Sequence, residues 1–227
     1  MFDLSDEQEM LVSSLEELAE KEFADDAFEW YGEVPWDNIS TLAEHGFLGI
    51  NIPIEYGGGG MGEFEAMLSV EAVGRVCPDT AEFLFNQQMV APRAVDMFGT
   101  EAAKERYLPP VTAGEDAISI AISEPEAGSD AGSMETSVEE DGDELVVNGE
   151  KIWVSNVPHA SAAVVWAKFP EGLGSVIVDF DADGVEVAQH YTNMPAHTQT
   201  QFYMNDVRIP HDTVLTSCKE CFTHQLN

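Results

Sequence analysis

The sequence predicts an α+β protein of more than one domain: an N-terminal α-helical domain followed by an antiparallel β-sandwich or barrel. Before Gly114, apolar residues recur with a helical period and acidic residues lie between them. After Gly114, the chain changes to short segments rich in Val, Ile and aromatic residues, which turn pairs separate. We therefore predict a helical domain over residues 1–115, a β domain over residues 116–215 and a return to helix over residues 216–227.

Five helices are predicted in the N-terminal domain. The first begins at a capping box, with Ser5 as N-cap and Gln8 three residues later, and Leu11, Leu15 and Leu18 form its apolar face. The other four are predicted from Trp36 to Glu44, from Glu63 to about Val76, from Thr80 to Phe98 with a kink or break at Pro92, and from Thr100 to just before Pro109-Pro110.

Seven short segments predict the strands of the β domain. They are AISIAIS, DELVVNG, KIWVSN, SAAVVWAKF, GSVIVDF, GVEVAQHY and QFYMNDVRIP. The pairs Asp141-Gly142, Asn148-Gly149 and Asp183-Gly184 are predicted as turns between several of them. Regular spacing of short strands is typical of a sandwich or barrel.

The charge balance restricts the partners. Forty-three acidic residues face nine basic ones, for a formal net charge of −34. Phosphate contacts need clustered Lys and Arg, so no nucleic acid is expected as a partner. The acids are spread along a chain that is 44% hydrophobic, which favours a folded protein with an acidic surface over a disordered one. No apolar run approaches a membrane span and the acidic N-terminus does not resemble a signal peptide, so we expect a cytoplasmic protein.

Cysteine, histidine and serine residues provide only weak candidate sites. Cys77 is typical of a small buried apolar residue. Cys218, Cys221 and His224 could supply three metal ligands, but a closed zinc site needs a fourth, so no metal is predicted. No serine lies in a G-x-S-x-G turn, and the six histidines share no ligand spacing, so a hydrolase triad is not predicted either.

A run of glycines matches the sequence pattern of a dinucleotide-binding motif but lacks its structural context. Gly57, Gly59 and Gly62 satisfy G-x-G-x-x-G, and a helix is predicted after them. That motif requires a βαβ unit, whereas helix follows helix here, and no Gly-Lys-Ser/Thr of a P-loop is present. The run is therefore interpreted as a turn between helices.

Two places in the β domain have a composition suited to a polar, flat ligand. In AISEPEAGSD, Ser123 ends a strand, and Gly128-Ser129 exposes backbone N–H groups beside a hydroxyl, a turn that can hold an anion or a heterocycle. In WVSN, alternation along a strand places Trp153 and Ser155 on one face. A core tryptophan and an edge-strand serine remain the alternative interpretation of this second place.

Taken together with their neighbours, these stretches resemble the acyl-CoA dehydrogenase family. The resemblance covers nearly the whole chain in order, through the residues from Phe2 to Gln8 and from Leu42 to Gly58, then FGTEAAKERYLPPVTAGE, AISEPEAGSD, VNGEKIWVSN and DVRIPHDTVL. It implies an N-terminal helical domain, a flavin-binding middle β domain and a C-terminal helical domain, of which residues 216–227 resemble the start.

The resemblance implies a chemistry as well. Family members use FAD to oxidise the Cα–Cβ bond of an acyl-CoA thioester to a trans-2-enoyl-CoA, as in fatty acid β-oxidation, and pass the electrons to electron-transferring flavoprotein. It implies that the Ser123 and Ser155 hydroxyls and the Ile122 backbone contact the flavin ring, with Trp153 packed on it. Gly128 and Ser129 match the turn near the FAD pyrophosphate, and Ser129 also the thioester end of the substrate. Full-length members are expected to form homotetramers or dimers.

The resemblance leaves the catalytic base unassigned. Family members carry this glutamate in the C-terminal helical domain, so it is expected beyond Asn227, and Glu124 and Asp130 are expected only to shape their loop. Ile120 stands where many relatives have an aromatic residue. Two alternatives stay open: a non-catalytic partner subunit of a mixed oligomer, and a flavin monooxygenase or oxidase on the same scaffold.

The excess of acidic residues generates a prediction about salt. We hypothesise that the host keeps high internal salt, as a salt-in halophile does, because repulsion among so many acids destabilises the compact state. Raising KCl from about 0.1 M to about 1 M shortens the screening length from about 10 Å to about 3 Å, so the midpoint of thermal unfolding, followed by circular dichroism, should rise. Greatest stability in dilute buffer would refute the hypothesis.

Overall fold

The computed structural model describes residues 3–25, 27–28, 33–194 and 197–217. The candidate ligands Cys218, Cys221 and His224 lie outside these residues, as does the predicted helical segment from residue 218 onward. Within the described residues, no cluster of His, Cys, Asp and Glu has the arrangement of a metal site. No helix among them is both long and apolar enough to cross a membrane.

Six α-helices form the described N-terminal region. The capping box at the start of the first is confirmed, since the Ser5 hydroxyl accepts from the Gln8 N–H and the Gln8 side chain accepts from the Ser5 N–H. Leu11, Leu15 and Leu18 are its buried face, as predicted. The helices are α1 (Asp6–Glu22), α2 (Trp36–Glu44), α3 (Glu63–Gly74), α4 (Pro78–Phe85), α5 (Ala91–Phe98) and α6 (Glu101–Thr112).

The predicted helix from Thr80 to Phe98 is divided in the structure. Helix α4 starts two residues earlier, at Pro78, and a π-helical turn, Asn86–Val90, separates it from α5. Pro92 lies in the first turn of α5, where the missing N–H of proline costs nothing. The break that the sequence placed at Pro92 therefore occurs just before it.

The prediction that the last helix stops before Pro109-Pro110 is wrong. Helix α6 continues through both prolines to Thr112. Their carbonyls still accept hydrogen bonds, Pro109 from the Ala113 N–H at 3.0 Å and Pro110 from the Glu115 N–H at 2.9 Å. Leu108 and Val111 are buried on the same turn, so packing outweighs the lost helical hydrogen bonds.

Eight strands of the described residues form one mixed, mostly antiparallel sheet. Seven lie in the order β6-β7-β3-β2-β4-β5-β8, and β1 pairs in parallel with β4. This parallel pair, and one β2–β4 pairing, depart from the all-antiparallel prediction. The strands are β1 (Ile118–Ala121), β2 (Ser137–Asp141), β3 (Glu144–Ser155), β4 (Ala162–Phe169), β5 (Gly172–Asp179), β6 (Val185–Thr192), β7 (Thr198–Pro210) and β8 (Val214–Thr216).

The predicted turn at Asn148-Gly149 is also wrong, because strand β3 passes straight through it. The pairing of β3 with β7 shifts register between Val147 and Gly149, so the pair marks a bulge. Gly149 has a φ of 152°, and a Cβ there would lie 2.4 Å from the Thr136 hydroxyl oxygen. The glycine therefore allows a close approach of the backbone to β2, whereas Asp141-Gly142 does form the predicted turn.

The two regions share part of their hydrophobic core. One buried cluster combines Leu108 and Val111 of α6 with Ile118, Val164 and Ile177 of the sheet. Gln87, in the π-helical turn, accepts from the Ile118 N–H and donates to the Ile118 carbonyl, as a neighbouring strand would. The edge of β1 is thus tied to the helical region by packing and by hydrogen bonds.

The glycine run packs against its own preceding segment. The N–H groups of Gly58, Gly59 and Gly60 donate to backbone carbonyls of residues 49–53. A Cβ on Gly58 would lie 2.2 Å from the Ile52 carbonyl oxygen. The interpretation as a tight turn between helices is confirmed, and its N–H groups are used within the chain.

Gly58→Ala should therefore destabilise the protein. The added methyl group meets backbone rather than a movable side chain, and overpacking of this kind costs about 1–3 kcal/mol. Urea unfolding measures the loss, with Gly132→Ala as the control, because a Cβ at Gly132 has only an ordinary contact at 3.4 Å. Equal stability of the two variants would contradict the packing described here.

Candidate functional site

A cavity of about 180 Å³ lies where the π-helical turn meets the ends of β1 and β3. Its wall combines backbone, hydroxyl and amide groups with apolar side chains. The lining residues from the strands and the loops after them are Ile118, Ser119, Ile120, Ile122, Ser123, Ile152, Trp153, Val154, Ser155 and Asn156, and those from the helical region are Asn86, Val90 and Ala91. Four of the six predicted cofactor-binding residues, Ile122, Ser123, Trp153 and Ser155, are therefore brought together.

Ser123 lies in the loop two residues after the end of β1, with its backbone held and its hydroxyl available. Its carbonyl accepts from the Ile152 N–H at 3.0 Å. Its side chain is half-buried, and no hydrogen bond joins its hydroxyl to another of the described residues. A hydroxyl that lines a cavity without a protein partner can donate to or accept from a ligand.

Trp153 is turned outward by an irregularity in β3. Its φ is 61°, and the pairing with β7 shifts register between Lys151 and Val154. The side chain is 53% exposed and its ring lies 4.6 Å from that of Tyr191, so it is not a core tryptophan. The register shift lies before Val154, which is buried between Trp153 and Ser155, and these two residues, predicted to share a face, both line the cavity.

Ser155 is held from two sides at the end of β3. Its hydroxyl accepts from the Gln199 side-chain amide at 2.8 Å, and its carbonyl accepts from the buried Ser119 hydroxyl at 2.8 Å. Strand β3 pairs with β2 over Glu144 to Asn148, and at Ser155 it pairs with Gln199 of β7. Because the Ser155 oxygen already accepts one hydrogen bond, its own proton remains to be donated.

The helical wall was not among the predicted site residues. Asn86 lines the cavity, and its amide donates to the Glu82 carbonyl and carboxylate at 2.9 and 2.8 Å. Its neighbours in the lining, Val90 and Ala91, flank the end of the π-helical turn. The irregular helix near Pro92 was the one available sequence signal, since π-helical turns are frequent at functional sites.

Gly128 and Ser129 lie apart from this cavity. Both are exposed in the loop after β1, and neither is among the lining residues. A Cβ built on Gly128 would meet no atom within 4 Å. The glycine is therefore not required by contacts within the chain, and the backbone there is open to approach from outside.

Glu124 anchors the loop that carries Ser123. The carboxylate is buried and accepts from the N–H groups of Glu135 and Thr136 at 2.5 and 3.0 Å. It also pairs at 2.7 Å with the ammonium of Lys151, which is fully buried. The expectation that Glu124 shapes its loop by binding backbone is confirmed. For Asp130, it is the carbonyl that accepts from Ser133.

Burial and hydrogen bonding compete in setting the pKa of Glu124. Burial raises it, but the Glu135 N–H and the Lys151 ammonium outweigh that effect, so the pKa lies below its ordinary value of 4.5. For Lys151, burial lowers the pKa from 10.5, and the neighbouring Glu124 carboxylate opposes this shift only in part. Both pKa values therefore depend on the burial of the pair and on the hydrogen bonds that surround it.

Comparison with known proteins identifies the family. The sequence profile of the acyl-CoA dehydrogenase N-terminal domain matches residues 5–115, and that of the middle domain matches residues 119–207. The chain belongs to the acyl-CoA dehydrogenase family. The helix-then-sheet order predicted from the sequence is confirmed by the structure and agrees with these two matches.

Individual relatives agree with this assignment. The chain is 33% identical over 219 residues to the probable acyl-CoA dehydrogenase YngJ of Bacillus subtilis, covering 92% of this chain and 58% of that protein. It is 29% identical over 232 residues to a caffeyl-CoA reductase–Etf complex subunit, CarC, of Acetobacterium woodii, covering 98% and 61%. The chain thus spans about three fifths of the length of these two curated relatives.

A solved structure of a family member carries the cofactor. The acyl-CoA dehydrogenase of Bacillus anthracis, complexed with FAD, superimposes with a TM-score of 0.85 at 26% identity, covering 97% of this chain and 39% of that one. The acyl-CoA dehydrogenase family is thus represented, in a protein of this fold, by an FAD complex.

The lowered pKa of Glu124 generates a prediction about acid stability. The unfolded chain takes up a proton at this position near pH 4.5, before the folded protein does, so stability from the carboxylate is fully present above that pH and is lost below it. The stability difference between the wild-type chain and Glu124→Gln should therefore be constant above about pH 5 and shrink as the pH falls below about 4.5.

Urea unfolding across this pH range measures the difference. Glu139→Gln is the matched control, since Glu139 is an exposed carboxylate on the adjacent strand β2. A difference that grows on acidification would contradict the assignment.

Proposed function

We propose that the cavity holds the edge of the isoalloxazine ring of FAD, and that the protein carries out α,β-dehydrogenation of an acyl-CoA thioester. One observation carries the proposal: Ser123, from the loop after β1, lines a single cavity with Trp153 and Ser155, from the end of β3. Family membership supports the choice of flavin, because a relative of the same fold is an FAD complex.

The chemistry of the lining fits a flavin. The ring is flat and apolar over its faces, whereas its pyrimidine edge carries hydrogen-bonding nitrogen and oxygen atoms. The cavity supplies an aromatic face and two hydroxyl groups, and none of the described residues that line it is a Lys or Arg. Donors at the ring edge would stabilise the negative charge of the reduced cofactor without a neighbouring cation.

FAD, when bound, would supply the hydride acceptor for this reaction. The residues of this chain would have the tasks of binding and orientation: the two serines donate to the ring edge, and Trp153 excludes water from one side of it. Glu124 is engaged by backbone N–H groups and by Lys151, so it is not available as a base. The proton acceptor remains a glutamate expected beyond Asn227.

The exposed loop after β1 would contact the diphosphate of FAD and the thioester of the substrate. Gly128 leaves its backbone open to approach, and the hydroxyl of Ser129 is exposed beside it. N–H groups in such a turn suit an anionic group. We therefore include Gly128 and Ser129 in the FAD site, and Ser129 also in the substrate site.

Electron-transferring flavoprotein is the partner we propose for reoxidation. The relative CarC is named as a subunit of a reductase–Etf complex, which supports such a partner. The exposed Trp153 ring packs against the half-buried Tyr191 ring beside the cavity, where an electron carrier could approach. Assembly into a homotetramer or dimer is part of the same proposal.

Titration with FAD, followed by quenching of flavin fluorescence, tests the site. Ser123→Ala and Ser155→Ala should each weaken binding by about 2- to 10-fold, the range expected for one hydrogen bond. Gly128→Ala should weaken it without loss of thermal stability, because its methyl group meets only the incoming ligand. Ser133→Ala is the control, since that hydroxyl binds its own loop backbone.

Equal affinities across this set of variants would contradict the placement of the ring. Anaerobic addition of acyl-CoA to the flavin-loaded, full-length protein should bleach the flavin absorbance. No bleaching across chain lengths would contradict the dehydrogenase assignment.

A further inference from the structure

Lys151 has an environment that neither the fold nor the proposed chemistry explains by itself. It is the one lysine or arginine with no exposed surface among the described residues. Its ammonium donates to the Glu124 carboxylate at 2.7 Å and to the Ile122 carbonyl at 3.0 Å. Both partners flank Ser123, whose own carbonyl is bound by the residue after Lys151, Ile152.

Stability alone is a weak reason for this arrangement. Burying an ammonium and a carboxylate removes both from water, and their attraction often does no more than offset that cost. A pair of apolar residues of similar volume commonly serves as well. A buried ion pair whose hydrogen bonds all go to one loop is better explained by the geometry it imposes on that loop.

We propose that Lys151 and Glu124 are positioning residues that hold Ser123 and the bulge of Trp153 in the geometry needed to bind the flavin ring. This inference rests on the proposed FAD site. The pair acts through the backbone and contacts no part of the ligand.

The contacts of Glu124 also fix a third segment of the chain. Its carboxylate binds the N–H groups of Glu135 and Thr136, just before β2. Its backbone closes a tight turn with Ala127 through hydrogen bonds of 2.9 and 3.1 Å. The loop that begins at Ser123 is therefore fixed at its start, in its first turn and at its return to the sheet.

The position of Lys151 in β3 links the Lys151–Glu124 pair to Trp153. The regular pairing of β3 with β7 stops at Lys151 and resumes at Val154. The two residues between them include Trp153, with its left-handed backbone. Because Lys151 is held on the Ile122 carbonyl, the bulge begins at a fixed point and the indole is directed to the cavity rather than to the core.

Three measurements on the same variants test the proposal. Hydrogen–deuterium exchange of the FAD-free chain reports the amides of Glu135, Thr136 and Ile152. Fluorescence titration reports FAD affinity, and the absorption spectrum of bound flavin reports the ring environment. The variants are Lys151→Met, which removes the ammonium, and the double variant Lys151→Met/Glu124→Gln, which leaves no unpaired buried charge.

Arg208→Met is the matched control. Arg208 also lies on the sheet and pairs with two carboxylates, Asp141 at 2.6 Å and Glu144 at 3.1 Å, but it is half-exposed and outside the cavity.

Lys151→Met should speed exchange at the three amides by about tenfold or more and weaken FAD binding by about tenfold, with a shifted flavin spectrum. The double variant should recover the unfolding midpoint but neither the amide protection nor the FAD affinity. Arg208→Met should match the wild type in all three readouts.

Recovery of protection, affinity and spectrum in the double variant would overturn the proposal, since the pair would then be merely structural. Unchanged exchange and affinity in Lys151→Met would overturn it as well. Failure of the wild-type chain to bind FAD would instead overturn the proposed site, while the exchange data would still decide whether the pair holds the loop. If Lys151→Met does not fold, amide exchange and FAD affinity are compared between the double variant and the wild type, and these two readouts decide the proposal.

Discussion

The hydrogen bond from the Ile152 N–H to the Ser123 carbonyl joins the two halves of the candidate site. One half is the loop after β1, and the other is the irregular end of β3. Strands β1 and β3 are not paired along their length, since β1 pairs with β4 and β3 lies between β2 and β7. The sheet pairing alone does not bring the two serines to one cavity, and this contact, the adjacent Lys151–Glu124 pair and the Ser119–Ser155 hydrogen bond do so together.

The helical region closes the cavity from the other side by imitating a strand. The Gln87 side chain supplies both hydrogen bonds that the backbone of Ile118 would otherwise lack on that edge. To present Gln87 in this way, the helix departs from regular α geometry over Asn86–Val90. The same departure puts Asn86 and Val90 in the cavity wall, so the attachment of the two regions and the shape of the site have one cause.

Local signals sufficed for elements whose residues interact over short distances along the chain. The capping box at Ser5 and the apolar face of α1 depend on residues within a few turns, and both were predicted correctly. Tertiary packing explains the two predictions that were wrong. Buried Leu108 and Val111 carry α6 through Pro109-Pro110, and pairing on both sides carries β3 through Asn148-Gly149.

The site divides in the same way. Ser123, Trp153 and Ser155 could be named from sequence patterns and a resemblance, because the residue type alone shows that a side chain carries a hydroxyl or an aromatic ring. The bulge that places Trp153 could not, since alternation predicts a regular strand and the bulge depends on the pairing with β7. Lys151 looked like an ordinary strand residue because only burial reveals its role.

The acidic composition changes how such a site can recruit its ligands. The ligands proposed for it, FAD and acyl-CoA, are anions, whereas the chain carries a net charge of −34. The one fully buried cation in the described part of the chain, Lys151, is paired with Glu124, and the described cavity lining contains no Lys or Arg. Long-range attraction therefore cannot guide these ligands in, and an unscreened field would slow their approach. Recognition must come from short-range donors, hydroxyl and backbone N–H groups held in fixed positions, which explains why the geometry of the loop matters more here than its charge.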